Sequence, residues 1–594
     1  MSPKQTAQAK SKTHRPPRSK PKVKPIAVVS LIWDTKVGAG RGALSRQIAF
    51  ERTLRSLADQ GLPYWQWCLA VKSQDFHLVA KWLEQSDVTS ETKAKVKLVP
   101  CDETCPALTV LRLLGSANGD WIGFSFVGDV FAPHYIYESL KVALTQQDAS
   151  TMYFDDDVIK RVNTKSGELV RHLPQFKPEF SLDMLLSRNY IGFSFVTKKT
   201  VLRRVLSAED RSNKVAEANF PYNLALGSVA VLKRKIHTSR FDDKYPIVHV
   251  PKVLRHRDLS SPESVKHEQS KSALLSGKRC VGKFIEKQEW SAKVSLRENS
   301  RFKVEWPLPK GGGKALPKVS IIVPTKDQFK ILKKCVDSLI KKTDYANLEL
   351  IIVDNQTTDP KALAYLADLD AKYEFLSVLK YAKPFNFSAI NNWAAELATG
   401  DVLLLMNNDV EVIDGGWLKE MVRHAVRPDV GCVGAKLLFP DRTIQHAGVA
   451  VGMHGVADHM YRSLRESKRN DPYGNLRTVR NPLAVTAAVL AIRRSLFAEL
   501  GGFDAKRFKV AFNDVDLCLR AEAAGYRTVW TPDACLVHHE SKTRAPRTAL
   551  LSDIGVKARA RERQEVASMK RSWGWLLKRK QEALGNRFAQ LRVF

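Results

Sequence analysis

Residues 401–412 read DVLLLMNNDVEV, an apolar run that stops abruptly at two asparagines and an acid. The run has the length and composition of a buried strand. The polar residues that follow it are Asn407, Asn408, Asp409 and Glu411. Because Asn and Asp favour turns, a simple turn would explain them. A cation or phosphate site would explain them equally, since open α/β sheets bind ligands at the carboxyl ends of their strands.

The segments before this run alternate between strand and helix patterns. VSIIV (319–323) and LELIIV (348–353) are short and rich in β-branched residues, which is typical of buried parallel strands. In ILKKCVDSLIKK the apolar residues recur at helical spacing, and SAINNWAAELATG predicts a helix that ends at Gly400. This order predicts a parallel sheet with right-handed crossover connections.

Each predicted strand ends in polar residues, as a nucleotide-binding sheet requires. Pro324, Thr325 and Asp327 follow the first strand, and Asp354 and Asn355 follow the second. The chain has neither G-x-G-x-x-G after the first strand nor G-x-x-x-x-G-K-[ST]. A nucleotide bound here would therefore be held by carboxylates and a metal ion rather than by a glycine-rich loop.

Four segments in this half carry a resemblance to one known family. They are VSIIVPTKD, LIIVDNQTTD, LLLMNNDVEV and GGFDAKRFKVAFNDVDLCLRAEAAGYRTVWTPDACLVHHES. In their order and spacing they resemble the family-two inverting glycosyltransferases of GT-A fold, over residues 318–542. The resemblance is strongest to the bacterial enzymes that build O-antigens and other surface polysaccharides.

The resemblance implies a role for each polar residue. Asp514 would be the catalytic base. Asp409 and His539 would bind a divalent cation, Mg²⁺ or Mn²⁺, that bridges the diphosphate of the donor. The residues implied in nucleotide-sugar binding are Pro324, Thr325, Asp327, Asp354, Asn355, Asn407, Asn408 and Asp516. The histidines implied on the acceptor or diphosphate side are His446, His459 and His538.

These roles agree with the chemistry that sugar transfer requires. A cation neutralises the leaving diphosphate, and a carboxylate within reach of the acceptor hydroxyl acts as its base. Asp514 precedes the predicted helix DLCLRAEAAG, whose dipole favours an ionised carboxylate. The chain departs from the family pattern at Asn407, which replaces the first acid of the metal motif and offers a carbonyl oxygen without charge.

Structural roles stay open for the same residues. Asp514 and Asp516 could cap a helix, and Asp354 with Asn355 could form a turn. The histidines could be ordinary core or surface side chains. The basic segment 462–469 is interpreted as a solvated loop, with contact to an acceptor phosphate as the alternative.

The first half of the chain resembles the same fold more faintly. DWIGFSFVGDVFAPHYIYESL keeps only Asp129 of the metal motif, and NFPYNLALG (219–227) lacks the acids of the base motif. We therefore predict a non-catalytic repeat. One acidic cluster is interpreted as a strand end or turn, with a second metal site as the alternative: Asp155, Asp156 and Asp157.

The formal charge of +33 is concentrated in two tails. Residues 1–25 hold eight Lys/Arg and no acid, and residues 541–594 hold fourteen Lys/Arg against four acids. Such tails suit anionic lipid headgroups, nucleic acid or plain solubility, and no base-reading motif accompanies them. Eight cysteines without a C-x-x-C pair, no bilayer-length apolar run and no secretory signal favour a reduced, cytoplasmic protein.

Together these patterns predict an α/β fold with two tandem GT-A-like (Rossmann-like, mainly parallel sheet) domains. The predicted segments are a disordered basic tail (1–25), a degenerate GT-A-like domain (26–257), a connector (258–317), a catalytic GT-A domain (318–542) and a basic helical tail (543–594).

The expected activity is transfer of a hexosyl or deoxyhexosyl group from a nucleotide-sugar to a glycan or lipid-linked acceptor. The enzyme would work in the cytoplasm, docked peripherally at the inner face of the cell membrane. The alternative is a non-catalytic scaffold, or a protein that binds nucleic acid or an anionic surface through its tails.

Overall fold

The computed structural model describes most of the chain. The described residues are 24–33, 42–102, 106–161, 169–207, 220–231, 246–258, 271–297, 301–309, 316–467, 469–539 and 553–591. The predicted disordered tail therefore lies almost wholly outside the described residues. No helix in the described part of the chain combines the length and apolar character that a membrane span needs. Seven cysteines are described, all as free thiols, and Cys105 lies outside the described residues.

The first domain is a nine-stranded sheet flanked by helices. Its strands are β1 Ile26–Trp33, β2 Trp65–Val71, β3 Val96–Pro100, β4 Trp121–Ser125, β5 Val130–Phe131, β6 Thr151–Arg161, β7 Leu169–Gln175, β8 Phe195–Lys198 and β9 Ile247–Asp258. Its helices are α1 Gly42–Ala58, α2 Phe76–Gln85, α3 Ser90–Ala94, α4 Pro106–Ser116, α5 Tyr135–Thr145, α6 Leu182–Ser187, α7 Lys199–Ser207 and α8 Phe220–Val231.

A helix and a hairpin follow, then the second domain. The intervening elements are α9 Lys271–Lys287, β10 Lys293–Arg297 and β11 Arg301–Glu305. The strands of the second domain are β12 Val319–Thr325, β13 Leu348–Asp354, β14 Leu376–Lys380, β15 Val402–Met406, β16 Val410–Val412, β17 Val430–Leu438, β18 Ile444–His446, β19 Val449–Val451, β20 Ala457–His459, β21 Val489–Arg493 and β22 Arg527–His538. Its helices are α10 Phe329–Lys342, α11 Pro360–Lys372, α12 Phe387–Leu397, α13 Trp417–Ala425, α14 Arg494–Glu499 and α15 Asn513–Ala523, and the last described helix is α16 Asp553–Leu591.

The two large sheets have the same topology. The first runs β3-β2-β1-β4-β8-β6-β9-β5, with β7 on β6, and the second runs β14-β13-β12-β15-β21-β17-β22-β16, with β18 on β17. Each strand of one sheet thus has a counterpart in the other, and α8 holds the place that α15 holds in the second domain. The predicted tandem α/β repeat is confirmed by this correspondence.

The strands predicted around the site form as expected, with one correction at a helix end. Every residue of β15 is buried, and β12 pairs in parallel with β13 and β15. The sheet is more mixed than predicted beyond β15, since β21 pairs antiparallel to both of its neighbours. Gly400 does not end α12, which stops at Leu397. A glycine is needed at position 400 because a Cβ there would lie 2.6 Å from the backbone nitrogen of Ser320.

The segment 258–317 is more structured than the predicted connector. Its helix α9 buries Val281 and Phe284, and its hairpin buries Phe302, in the hydrophobic core of the first domain. The Pro/Gly/Lys run that indicated a linker covers only the end of this segment.

Buried ion pairs join the two domains. Asp183, on α6 of the first domain, accepts hydrogen bonds from Arg427 (2.6 Å) and Arg527 (3.0 Å) of the second. Asn481 donates to the same carboxylate at 2.8 Å. Burial alone would raise the pKa of Asp183, but the two guanidinium groups lower it to about 2. The junction is therefore a specific, charge-paired contact.

Candidate active site

The carboxylate of Asp409 lies where the sequence placed it, directly after β15. Strand β16 pairs antiparallel with β22, so that Val410 faces His538 across the sheet. This register brings His538 Nε2 to 3.0 Å from Asp409 Oδ1. Both side chains are buried, and the Nδ1 atom of His538 has no hydrogen-bond partner. The carboxylate of Asp409 and the imidazole of His538 are thus in contact at the carboxyl edge of the sheet.

His539 lies apart from the Asp409 carboxylate, although its backbone N–H is bonded to the Asp409 carbonyl. Its ring Nε2 lies 3.0 Å from Glu411 Oε2, and Lys334 pairs with the same carboxylate at 2.8 Å. The resemblance grouped Asp409 with His539, whereas the structure groups Asp409 with His538. The physical reason is strand alternation, because successive side chains point to opposite faces.

Asp514 lies in the first turn of α15, one residue after the helix begins. Its Oδ2 accepts a hydrogen bond from the backbone N–H of Ala487 at 3.0 Å. The side chain is only partly buried and faces a cavity. Asp516 differs, because it is buried and accepts from Arg520 (2.8 Å) and Trp573 (3.0 Å). Asp516 therefore stabilises the helix and does not line this cavity.

The cavity in front of Asp514 has a volume of about 600 Å³, which is large enough for a sugar and part of a nucleotide. It brings together five residues named from the sequence: Asn407, Asp409, His459, Asp514 and His538. It is also lined by residues that the sequence did not single out as site residues: Gln445, Asp458, Thr486, Phe512 and Glu562. Arg462 lines it too, which favours the contact alternative over a purely solvated loop.

The last residues of β12 and β13 form a second group at the carboxyl edge of the same sheet. Thr325 pairs with Asp354 in the parallel register, and its hydroxyl accepts from the Asn408 amide at 3.0 Å. Asp354 accepts from Thr357 N, three residues on, at 2.9 Å, which closes the loop after β13. Asp354 therefore ends a strand at the carboxyl edge of the sheet and holds the loop that follows it. Pro324 is half-buried one residue before Thr325.

Asn355 and Asp327 use their polar atoms on the protein itself. The Asn355 amide donates to Tyr381 O (3.1 Å) and Lys383 O (2.9 Å), which holds the loop after β14. Asp327 accepts from the backbone N–H groups of Thr358 and Asp359. These hydrogen bonds lower the pKa of Asp327. Both residues shape the edge of the site through backbone contacts.

His446 and His459 form a directly bonded pair, with 2.8 Å between their Nδ1 atoms. His446 is fully buried, and burial lowers its pKa well below the usual value. Its Nε2 accepts from Gly448 N at 3.3 Å, so its Nδ1 carries the proton and donates to His459. His446 therefore orients His459, and only His459 lines the cavity.

The position of the first domain that corresponds to Asp409 is Asp129, which pairs with an arginine of the same domain. Asp129 follows β4 as Asp409 follows β15, and its Oδ2 accepts from Arg255 Nε at 2.8 Å. Arg255 is 1% exposed, so a buried guanidinium of the same domain neutralises Asp129. The acidic cluster is likewise paired, Asp155 with His249, Asp156 with Lys177 and Asp157 with Arg171. The three residues lie buried in the middle of β6, so the interpretation as a strand end or turn is wrong: their partners on neighbouring elements allow the charges to be buried within the sheet.

The residues of the second domain fit a divalent cation with few protein ligands. No group of three or more His, Cys, Asp or Glu side chains is arranged for a metal ion within the described ranges. Asp409 and Asn407 nevertheless present a carboxylate and a carboxamide to the cavity, beside the unpartnered nitrogen of His538. Mg²⁺ sites in nucleotide enzymes often need only one or two carboxylates, because substrate phosphates and water supply the other ligands.

Comparison with known proteins agrees with this geometry. The family described as Glycosyl transferase family 2 matches residues 320–501, which run from β12 to the end of α14. The chain contains a family 2 glycosyltransferase domain. The matched range holds Asp354, Asp409 and the histidine pair, whereas Asp514 and His538 follow it.

Two curated relatives are similar to this chain over a longer range than that domain. It is 34% identical to the O-antigen biosynthesis protein RfbC of Myxococcus xanthus, over 83% of this chain and 36% of that protein. It is 34% identical to the uncharacterized protein y4gI of Sinorhizobium fredii, over 77% of this chain and 47% of that protein. The chain thus spans between a third and a half of the length of these two relatives.

A more distant relative and two solved structures are also glycosyltransferases by name. The chain is 25% identical to the N-acetylglucosaminyl-diphospho-decaprenol L-rhamnosyltransferase of Mycobacterium tuberculosis, over 33% of this chain and 67% of that protein. GalNAc-T7 with UDP, GalNAc and Mn²⁺ aligns with a TM-score of 0.33 at 15% identity, over 41% of this chain and 46% of that one. The mannosyltransferase PcManGT of Pyrobaculum calidifontis, with GDP-Man and Mn²⁺, aligns with a TM-score of 0.31 at 19% identity, over 48% of this chain and 78% of that one.

Proposed function

We propose that the chain transfers a sugar from a nucleotide-sugar donor to a glycan or lipid-linked acceptor. The observation that carries this proposal is that Asp409 and Asp514 line one cavity. Asp409 lies within the range that matches the family 2 glycosyltransferases, and Asp514 follows that range closely. One carboxylate is suited to the diphosphate end of a donor, and the other is suited to the acceptor hydroxyl. The relative RfbC favours surface polysaccharide synthesis as the process.

In this proposal Asp514 is the general base. Its Oδ2 is oriented by a hydrogen bond from Ala487 N, and the residue lies in the first turn of α15, facing the cavity. The carboxylate removes the proton of the acceptor hydroxyl as that oxygen attacks the anomeric carbon. The C–O bond to the diphosphate breaks on the opposite face, so the anomeric configuration inverts.

Asp409 and Asn407 would hold the divalent cation, Mg²⁺ or Mn²⁺, with His538 orienting Asp409 through its Nε2. The cation, when bound, neutralises charge on the leaving diphosphate. The group around Thr325 and Asp354 binds the nucleoside. His539, which the resemblance placed at the cation, has no part in the proposed cation site, because its ring pairs with Glu411.

The acceptor would enter from the side of His459 and Arg462. His459 presents an oriented ring nitrogen, and Arg462 presents a cation suited to an acceptor phosphate. A lipid-linked acceptor agrees with the excess of Lys/Arg in the two tails, which would dock the enzyme at the anionic inner face of the cell membrane. The competing function, a scaffold or an anionic-surface binder, needs none of the cavity residues.

A transfer assay with a panel of nucleotide-sugars separates the two functions. The chain is incubated with each donor, with and without Mn²⁺, and release of the nucleoside diphosphate is measured with and without acceptor glycans. We expect at least one donor to be turned over in a metal-dependent manner. Failure to bind or turn over any donor, with full binding to anionic vesicles retained, would favour the scaffold.

A further inference from the structure

The helix α16 packs into the active-site domain rather than projecting from it. Met569, Leu576 and Leu577 are buried in the same hydrophobic core as α15. Lys580 forms an ion pair with Glu179 of the first domain. The helix is thus anchored on both domains beside the cavity, although its sequence indicated only a basic tail.

One side chain of α16 holds the segment that leads into the catalytic helix. Glu565 is 2% exposed, and its two carboxylate oxygens accept from Val510 N at 2.9 Å and Ala511 N at 3.2 Å. Two successive backbone N–H groups therefore converge on one buried carboxylate. Val510 and Ala511 line the cavity on their other side.

The held segment has a backbone conformation that needs support. Phe512, the residue before α15, has φ 62, in the left-handed region that bulky residues rarely adopt. Such a conformation persists only where its surroundings enforce it. Asp514 follows two residues later, so the direction of its carboxylate depends on how this turn is held.

A second contact from α16 holds the helix on the far side of Asp514. Trp573 Nε1 donates to Asp516 Oδ1 at 3.0 Å. Helix α16 thus holds the chain on both sides of Asp514, at Ala511 before it and at Asp516 after it. These hydrogen bonds on both sides of Asp514 go beyond the apolar packing of one helix against another.

We propose that α16 positions the catalytic base, with Glu565 and Trp573 as positioning residues for Asp514. The inference rests on the proposed function of Asp514. Glu562, one turn before Glu565, lines the cavity from the same helix. In this proposal its carboxylate binds acceptor hydroxyls. The helix therefore completes the active site and contributes to acceptor selection.

The test is the full chain carrying Glu565→Gln, assayed with the donor found in the panel. The carboxamide keeps the shape but replaces one acceptor oxygen by a donor, so one backbone N–H loses its partner. We expect kcat to fall about tenfold, the effect of losing one charge-assisted hydrogen bond on the reactive geometry. The donor KM should stay within about twofold, because the nucleotide edge is untouched.

Two further variants separate positioning from stability. Trp573→Phe keeps the aromatic packing and should lower kcat with the same unchanged donor KM. Glu396→Gln, on the exposed face of α12, is the matched control and should leave both constants unchanged. Glu562→Gln should raise the acceptor KM instead of lowering kcat.

Three outcomes decide the matter. A fall in kcat alone for Glu565→Gln supports the inference. An unchanged kcat, or a joint loss of kcat, donor affinity and melting temperature, would show a structural role and overturn it. Absence of transfer by the wild-type chain would overturn the proposed function itself, a failure visible before any variant is compared.

Discussion

Asp409 Oδ1 lies 3.0 Å from His538 Nε2, whereas Asp129, at the same topological position of the first domain, is bonded to the guanidinium of Arg255. The two carboxylates therefore have partners of different kinds. The partner of Asp409 is an imidazole that lines a cavity together with it. Arg255 is always cationic and neutralises Asp129 from within. The same position of the fold thus faces a cavity in the second domain and is closed by an internal ion pair in the first.

The first prediction separates the two adjacent histidines. His538→Gln should weaken Mn²⁺-dependent binding of the donor about tenfold, because it removes the group that orients Asp409. His539→Gln should change it less than about twofold, since that ring contacts Glu411 rather than the Asp409 carboxylate. Titration calorimetry with the donor and Mn²⁺ measures both. Equal losses for the two variants would contradict the pairing described for Asp409.

The second prediction concerns the closed site of the first domain. Arg255→Met leaves the Asp129 charge buried and unpaired, which should lower the free energy of unfolding by about 3–5 kcal/mol. Adding Asp129→Asn should recover part of this loss, because the orphaned charge disappears. Denaturant unfolding of the two variants gives the comparison. A double variant no more stable than the single one would argue against the ion pair as the filler of this site.

The third prediction follows from the junction at Asp183. Its folded pKa, about 2, lies below the unfolded value, so its contribution to stability is present at neutral pH and is lost as pH falls through the range from about 4 to 2. A depression of this size corresponds to about 2 kcal/mol. Asp183→Asn should flatten the loss of melting temperature in that range. It should also destabilise the protein at pH 7, because Arg427 and Arg527 lose their carboxylate.

The exposed variant Asp368→Asn is the control for this titration, since its side chain lies on the outer face of α11. Its melting temperature should follow that of the wild type at every pH. If the melting temperature of Asp183→Asn fell with decreasing pH as steeply as that of the wild type, Asp183 would not be the titrating group.

The sheet and the polar edge could be predicted from the sequence because they depend on local patterns. The run 401–412 indicates a buried strand and its polar end without any tertiary information. The choice between His538 and His539 depends on the register between β16 and β22, which spans more than a hundred residues of chain and has no local signal. The same limit applies to Asp516, whose burial depends on Trp573 of a distant helix.

Helix α16 shows the limit most clearly. Its composition is basic and indicates a surface or a tail, whereas its contact residues are few and widely spaced. Glu562 and Glu565 carry no motif, and nothing in their neighbourhood marks them as site residues. Their role depends on a docking geometry that amphipathic patterning does not specify.

The most direct test of the central claim is sugar transfer by Asp514→Asn. The carboxamide preserves the hydrogen bond that the side chain accepts from Ala487 N but cannot take a proton from the acceptor. We expect kcat to fall by at least about 10²–10³-fold, with donor affinity within about twofold of wild type and with Asp368→Asn fully active. Transfer at the wild-type rate by a folded Asp514→Asn protein would contradict the account.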